Sequence, residues 1–266
     1  MLVKMQATAK ETAAVFIARQ INNEDYISLG TNLPVTAAGV LLAQMTHAPD
    51  AKINVLSYFV NLADIDSFPD LGQVANPSVA RWADGVMSVE QLIYGIRRMD
   101  LCFAGGLQID RYGNTNLIGI GDDYNNLKFR GPGSVGTSTV MANCKKFFIY
   151  SNDHSPRTLV PSCDFISAYG WGSGGADSRS KLGLPGSGPK YVITPKAIMD
   201  FDEDSKHMRL KHLLPGTTMT DLIQSTGFQL IVPEQLEECE PPSDNELEIL
   251  RLRVDLKGYL RNSPEN

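Results

Sequence analysis

Three glycine-rich segments in the middle of the chain are the residues best suited to chemistry. They read GGLQIDRYGNTN at 105–116, GPGSVG at 131–136 and YGWGSGGADSRSKLGLPGSGP at 169–189. Glycine lets the backbone approach a bound group closely, and the nearby N–H groups can then bind an anion or polarise a carbonyl oxygen. One such segment alone would indicate only a chain reversal. Three in one half of the chain predict a pocket made of backbone amides.

Reactive side chains, by contrast, form no known catalytic motif. The sequence contains no GxSxG, HExxH or phosphate-loop motif, and GPGSVG lacks the lysine that a phosphate loop requires. Ser134 and Ser138 have no neighbouring base in the sequence. The histidines lack metal-ligand spacing, so we expect surface histidines and no metal site; they are His47, His154, His207 and His212.

Charged residues near the glycine segments leave alternatives open. The acidic cluster of Asp64, Asp66 and Asp70 lies in an irregular stretch, where solvated carboxylates are the commoner case. Basic residues flank the glycine segments and could meet ligand phosphates or face solvent; they are Lys128, Arg130, Arg179 and Lys181. The net charge of −6 argues against non-specific binding to nucleic acid or to an acidic membrane.

Helices and strands alternate in the first half of the chain. Capping-box spacings at Thr8, Ser88 and Ser243 predict helix starts, and Pro34 opens a further helix. Apolar runs predict strands at Tyr26–Leu29, Lys52–Val60, Asp100–Phe103, Lys145–Tyr150, Tyr191–Thr194, Ala197–Phe201 and Met208–Leu213. This order predicts an α/β fold with an open, mixed, mostly parallel sheet and helices on both faces.

Length and composition bound the organisation of the protein. With 266 residues we expect one domain over residues 1–266, ending in a proline-bounded tether and helix at 233–266. The sequence has no secretory signal and no apolar stretch of 18 residues, which predicts no membrane association. Its four cysteines form no CxxC pair. We therefore expect a cytoplasmic protein.

Six segments in register resemble the β subunits of class I CoA-transferases, of the glutaconate CoA-transferase type, over nearly the whole chain. They are SLGTNLP at 28–34, THAPDAKINV at 46–55, GGLQIDRYGNTN at 105–116, FRGPGSVG at 129–136, KLGLPGSGPKYVIT at 181–194 and TGFQL at 226–230. The resemblance implies a homologous α subunit as partner, usually in an α2β2 assembly, with the active site at the interface. It also implies an acyl-CoA thioester as substrate, with no bound cofactor.

The resemblance breaks at one position. In these transferases a β-subunit glutamate attacks the acyl-CoA thioester, and here Leu56 stands in its place. A leucine cannot form the acyl anhydride and the glutamyl-CoA thioester that transfer requires. The catalytic residue of this chain is therefore unknown, and the acid or base is expected from the α subunit. The resemblance implies substrate or CoA binding at Gly30, Asn32, Leu56, Ser57, Gly105, Gly106, Gln108, Gly131, Gly133 and Ser134.

Several reactions fit this altered site. The favoured one is hydrolysis of a carbon–carbon bond in an acyl-CoA, a retro-Claisen ring opening, with amides near Gly106, Gly133 and Ser134 stabilising the thioester oxygen. Decarboxylation of an acyl-CoA is an alternative. CoA transfer through another carboxylate, such as Asp64, is a further one. The chain could also be a noncatalytic scaffold subunit. Tyr58 and Asn61 could contact substrate or simply pack.

Overall fold

The chain folds into two compact units. The computed structural model describes residues 6–30, 33–55, 59–62, 71, 77–134 and 136–261. The N-terminal unit consists of Met1–Gly95 and Glu240–Asn266, and the central unit consists of Ile96–Cys239. The chain thus re-enters the N-terminal unit within the segment predicted as a tether. The single domain over residues 1–266 stays a prediction.

The described part of the N-terminal unit contains four strands and four α-helices, numbered here along the whole chain. The strands are β1 Tyr26–Leu29, β2 Lys52–Val55, β3 Phe59–Leu62 and β4 Ala83–Val86. The helices are α1 Ala9–Ala18, α2 Pro34–Met45, α3 Val89–Gly95 and α7 Asp244–Ile249, with a 3-10 turn at Pro77–Trp82 and a π turn at Leu250–Val254. β1 pairs with β2 in parallel, whereas β2, β3 and β4 pair antiparallel.

The sequence predicts one buried strand over Lys52–Val60, and this prediction is wrong. The chain reverses inside the run, so that Val55 of β2 pairs with Phe59 of β3. The run KINVLSYFV contains neither glycine nor proline, so its composition gives no turn signal. Residues 56–58, between the two strands in the sequence, lie outside the described residues.

Close helix packing and a buried ion pair hold the N-terminal unit together. A side chain at Gly39 of α2 would place its Cβ 2.6 Å from the Ala14 carbonyl oxygen, so only glycine allows this approach of α1. Glu11 of α1 is fully buried and accepts hydrogen bonds from Arg251 at 2.7 and 2.8 Å. The C-terminal segment is thereby fixed to α1. The capping boxes predicted at Thr8, Ser88 and Ser243 are confirmed by reciprocal bonds.

The central unit is built mainly of strands. These are β5 Leu101–Ala104, β6 Gln108–Asp110, β7 Thr115–Asn116, β8 Gly119–Ile120, β9 Phe129–Arg130, β10 Lys146–Tyr150, β11 Leu159–Val160, β12 Pro189–Ile193, β13 Ala197–Phe201 and β14 Met208–Leu213. Its helices are α4 Thr137–Asn143, α5 Ser178–Lys181 and α6 Met219–Ser225. No helix among the described residues is long and apolar enough to cross a membrane.

The strands of the central unit place the first glycine segment at the carboxyl end of β5. β5, β10 and β12 are parallel neighbours, and β13 and β14 continue the sheet antiparallel. β6 lies between β11 and β7 in a smaller sheet. Gly105 and Gly106 follow the carboxyl end of β5, the end at which open α/β sheets bind ligands. The predicted α/β fold with a mixed, mostly parallel sheet is confirmed.

Candidate functional site

The Gly105–Gly106 pair connects the buried strand β5 to the hairpin of β6 and β7. A Cβ on Gly106 would lie 2.6 Å from the Gln108 carbonyl oxygen and 3.2 Å from the Thr115 Cβ, so this position has no room for a side chain. A Cβ on Gly105 would be 3.7 Å from the Tyr150 oxygen, which is ordinary contact. The space around the backbone therefore requires glycine at 106 and not at 105.

The second glycine segment is fastened to the same hairpin. The Gly131 amide donates to the Ile118 carbonyl and the Gly133 amide to the Leu117 carbonyl, both at 2.9 Å. A Cβ on Gly131 would overlap the Leu117 oxygen and would lie 2.8 Å from Leu107 Cδ1. The structure thus brings the segments at 105–106 and 131–134 together around two leucines.

The amide groups of these two segments differ in what they can still bind. The Gly133 amide is already used by Leu117, which removes it as a free donor in this conformation. Within the central unit, the amides of Gly106 and Ser134 have no acceptor among the described residues. Gly133 has a positive φ of 89° with open space around its Cβ position, so glycine serves conformation there. The free amides are the groups that could polarise a carbonyl oxygen.

Gln108 is buried at the base of the hairpin. Its Oε1 accepts hydrogen bonds from Asn116 Nδ2 at 2.7 Å and from the Asp164 amide at 3.0 Å. These bonds tie the hairpin to the segment that precedes the third glycine segment. The side-chain oxygen of Gln108 is therefore already satisfied, and its predicted role in binding substrate stays a prediction.

Buried polar side chains fix the tip of the hairpin. Asp110 accepts hydrogen bonds from the Tyr112 and Asn114 amides at 2.9 and 3.0 Å, and from Asn114 Nδ2 at 2.8 Å. Burial raises the pKa of Asp110, although these hydrogen bonds oppose the effect. Asn114 Oδ1 in turn accepts from the amides of Gly170 and Gly172. The hairpin tip therefore holds the start of the third glycine segment.

Arg179 is buried, so it neither meets ligand phosphates nor faces solvent, the two alternatives that the sequence left open for it. It is only 3% exposed and donates to five backbone carbonyls; these belong to Met141, Ala142, Tyr169, Gly170 and Gly186. Burial lowers its pKa. Lys181 is exposed and pairs with Asp177 at 2.8 Å, and Arg130 lies over the Tyr124 ring. Arg179 is thus part of the scaffold that shapes the glycine loop.

Two histidines expected at the surface are buried. His154 is 6% exposed, and its ring nitrogens lie 2.7 Å from Thr194 Oγ1 and 3.1 Å from Thr226 Oγ1. Burial and then the charge of Lys196 lower the pKa of His154 to about 4, so the ring is neutral at pH 7. His212 is also buried and contacts the Glu237 carbonyl through Nδ1. The surface prediction for these two residues is wrong, because distant polar partners satisfy them.

Two cysteines of the central unit, Cys102 and Cys163, are poorly suited to nucleophilic chemistry. The interaction with the neighbouring Cys144 thiol, followed by burial, raises the pKa of the Cys102 thiol. Burial also raises the pKa of Cys163, whose Sγ donates to the Asn114 carbonyl. A protonated, buried thiol is a poor nucleophile. The described residues contain no group of three or more histidine, cysteine or acidic side chains placed to hold a metal ion.

The predicted site residues of the N-terminal unit are only partly described. Gly30 directly follows β1 and is half-buried. Asn32, Leu56 and Ser57, together with Tyr58 and Asp64, lie outside the described residues. Asn61 has a positive φ of 53°; its Oδ1 accepts from the Ile53 amide at 3.4 Å and its Nδ2 donates to Asp84. These bonds assign Asn61 a structural role.

Asn54 is a candidate that the sequence did not indicate. It lies in β2, two positions before Leu56, and is fully buried. Its Oδ1 has no hydrogen-bond partner among the described residues, and an unsatisfied buried acceptor costs about 1–3 kcal/mol. The sequence feature that could have indicated Asn54 is its single amide side chain inside the apolar run KINV.

The fold and these glycine loops define a coenzyme A transferase. The chain belongs to this family, because the coenzyme A transferase family model matches residues 10–225. It is similar to the β subunit of glutaconate CoA-transferase from Acidaminococcus fermentans, at 34% identity over 93% of this chain and 92% of that protein. It is also similar to the β subunit of 3-oxoadipate CoA-transferase from Pseudomonas knackmussii, at 35% identity over 92% of each chain.

Relatives with other reactions also match. The cholesterol ring-cleaving hydrolase IpdB subunit of Mycobacterium tuberculosis is 26% identical over 95% of this chain and 96% of that protein. Among solved structures, glutaconate CoA-transferase of Acidaminococcus fermentans superposes with a TM-score of 0.81 at 29% identity, covering 97% of this chain and 99% of that one. The decarboxylase AibA/AibB has the same fold, with a TM-score of 0.81 at 20% identity over 96% and 98% of the two chains.

Proposed function

We propose that this chain is the β subunit of a heteromeric enzyme that hydrolyses a carbon–carbon bond in an acyl-CoA thioester. The observation that carries the proposal is Leu56, which stands where the resemblance requires the nucleophilic glutamate. An alkyl side chain can neither attack a thioester nor carry CoA. The amide-bearing glycine loops nevertheless remain, which favours another reaction of a CoA thioester over loss of catalysis.

The chemistry needs an electron sink, which is the thioester carbonyl, and the free amides can stabilise the negative charge that develops on its oxygen. A base on the partner subunit activates water, which adds to a ring ketone β to the thioester. The carbon–carbon bond then breaks, and its electron pair passes into the thioester as an enolate. Donors at the Gly106 and Ser134 amides stabilise the developing oxyanion. A proton finally reaches the enolate carbon, so the products are a new carboxylic acid and an open-chain acyl-CoA.

A second, homologous subunit is part of this proposal. The relatives are β subunits of two CoA-transferases and an IpdB subunit, and the decarboxylase is the pair AibA/AibB. We infer a homologous α subunit for this chain, in an α2β2 assembly that supplies the acid or base. Cys102, Cys144 and Cys163 are free thiols, which fits a reducing cytoplasm.

CoA transfer is the second candidate, because the relatives at 34% and 35% identity are named as transferase subunits. In this case another carboxylate, such as Asp64, would carry CoA. A covalent enzyme–CoA thioester distinguishes the two reactions. Borohydride or hydroxylamine traps that thioester in a transferase, whereas the proposed hydrolase forms none.

The decisive experiment compares the wild-type α/β complex with two variants of one position. Leu56→Glu restores the carboxylate, and Leu56→Gln is the matched control with similar size and no nucleophile. Each complex is incubated with cyclic β-keto acyl-CoA substrates and with a pair of carboxylic acids. We expect ring opening without a trapped adduct in the wild type, and a borohydride-sensitive CoA adduct only in Leu56→Glu.

Two results would contradict the proposal. CoA exchange between acids with a trapped adduct in the wild-type complex would establish a transferase. Inactivity of the wild type toward every cyclic or β-keto acyl-CoA, with unchanged partner activity after Gly106→Ala, would establish a scaffold subunit.

A further inference from the structure

A pocket of about 400 Å³ lies at the opposite end of the central sheet from the first two glycine segments, and residues of the third segment line it. Lys146 and Pro189 line it at the amino ends of β10 and β12, and Phe201 lines it at the carboxyl end of the antiparallel β13. Gly105, by contrast, follows the carboxyl end of β5, which runs parallel to β10. The five residues of β10 separate the two ends by about 16 Å.

The pocket is lined by more positively than negatively charged side chains. Arg209 and Asp200 neutralise each other through two hydrogen bonds, at 2.9 and 3.0 Å. Three further lysines line the pocket, and Glu203 is the remaining acidic residue in its lining; the lysines are Lys146, Lys190 and Lys206. Among the described residues, none of the three lysines forms an ion pair with a carboxylate. The lining therefore carries a net charge of about +2 at pH 7.

Two of these ammonium groups are held in place. Lys206 Nζ lies 4.8 Å from the centre of the Trp171 ring, and Lys190 Nζ lies 5.0 Å from that of Tyr191. Lys206 also adopts a left-handed backbone with φ of 56°, which a lysine rarely accepts. Its turn is closed by a hydrogen bond to the Asp202 carbonyl at 3.0 Å. The closed turn thus places Lys206 beside the Trp171 ring.

The lysines also repel one another. Burial lowers the pKa of Lys190, and the charges of Lys146 and Lys211 lower it further. An anion between these groups would relieve the repulsion and would accept hydrogen bonds from their ammonium groups. Lysine suits this task because its ammonium is a compact charge that binds phosphate or carboxylate oxygens without a fixed orientation.

We propose that this pocket binds a small anion with at least two negative charges, of the phosphate or polycarboxylate class. The net charge of the lining sets the charge of the ligand, and the volume admits a molecule larger than a single phosphate. Because the pocket lies at the amino ends of the parallel strands, the ligand binds apart from the free amides of Gly106 and Ser134, against the third glycine segment.

Titration calorimetry on the full-length chain tests this site, with pyrophosphate and citrate as probes at matched ionic strength. The variants are Lys190→Gln, Lys206→Gln and the pair combined. Lys181→Gln is the matched control, because Lys181 is exposed, pairs with Asp177 and does not line the pocket. We expect each pocket substitution to weaken binding about tenfold, the loss of one charge-assisted hydrogen bond. Lys181→Gln should bind as the wild type does.

The outcomes are distinguishable. Binding of pyrophosphate alone assigns the phosphate class, and binding of citrate alone assigns the carboxylate class. Failure of both probes to bind overturns the proposal, as does equal weakening in Lys181→Gln and the pocket variants. Circular dichroism of each variant checks that the fold is kept. We expect it to be kept, because the side chains of Lys181, Lys190 and Lys206 are at least partly exposed.

Discussion

Replacement of Gly106 by alanine separates the two roles of the first glycine segment. The added Cβ would lie 2.6 Å from the Gln108 oxygen, which is 0.8 Å short of the 3.4 Å at which ordinary contact begins. The hairpin of β6 and β7 must therefore move, and overpacking of this kind costs about 1–3 kcal/mol. The same movement displaces the Gly106 amide from its position.

The effect on turnover should exceed the effect on stability. Misplacing a group by about 1 Å can lower a rate about 100-fold, and removal of one oxyanion donor lowers kcat by about 100- to 1,000-fold. We therefore expect the Gly106→Ala complex to lose about 100-fold in kcat while its Tm falls by several degrees. Steady-state kinetics on the acyl-CoA substrate and thermal unfolding measure the two quantities.

Two further substitutions interpret the result. Gly95→Ala is the control for the change itself, because its added Cβ would meet no described atom within 4 Å beyond its chain neighbours and its own helix backbone. Gly105→Ala lies in the same loop and meets only the Tyr150 oxygen at 3.7 Å, so its Tm should match that of the wild type. If Gly106→Ala keeps wild-type kcat despite a lowered Tm, the amide plays no part in catalysis and the reasoning is refuted.

Two other predictions concern stability. His154 has a folded pKa of about 4, below its unfolded value of about 6.5, so it stabilises the fold fully above pH 6.5. As the pH falls toward 4, the wild type should lose up to about 3 kcal/mol of this stabilisation. Urea unfolding at pH 7.5 and 4.5 measures the loss. The free energy of unfolding of His154→Gln should depend less on pH than that of the wild type or of the control His47→Gln. Arg179→Met should lower the free energy of unfolding by about 3–5 kcal/mol, because it leaves buried carbonyls unsatisfied. The control Lys181→Gln should change the free energy of unfolding by less than about 0.5 kcal/mol. A small loss in Arg179→Met would show that water replaces the guanidinium.

Local patterns in the sequence predict much of this fold, because they depend on neighbouring residues. The strands Tyr26–Leu29, Ala197–Phe201 and Met208–Leu213 have their predicted bounds. The capping boxes also form as their spacing requires. The hairpin inside Lys52–Val60 escapes such a prediction, because an apolar run gives the same signal whether it continues or turns back.

The site is harder to read from the sequence, because its contacts are distant along the chain. Arg179 is in the polar segment SRSK, yet it bonds to carbonyls as far away as Met141. His154 is satisfied by Thr194 and Thr226, which no local pattern joins to it. Spacing predicts the glycine loops, but only the backbone geometry shows that Gly106 has no room for a Cβ.

The third glycine segment is fastened from two sides, and this should slow its hydrogen exchange. The Gly170 and Gly172 amides donate to Asn114, and the Trp171 amide donates to the Tyr112 carbonyl. The carbonyls of the same peptides include acceptors of Arg179. A loop without regular structure can thus resist local opening as a strand does, since each opening would break several polar contacts at once. Its glycines provide shape, and its polar partners provide the rigidity that glycine lacks.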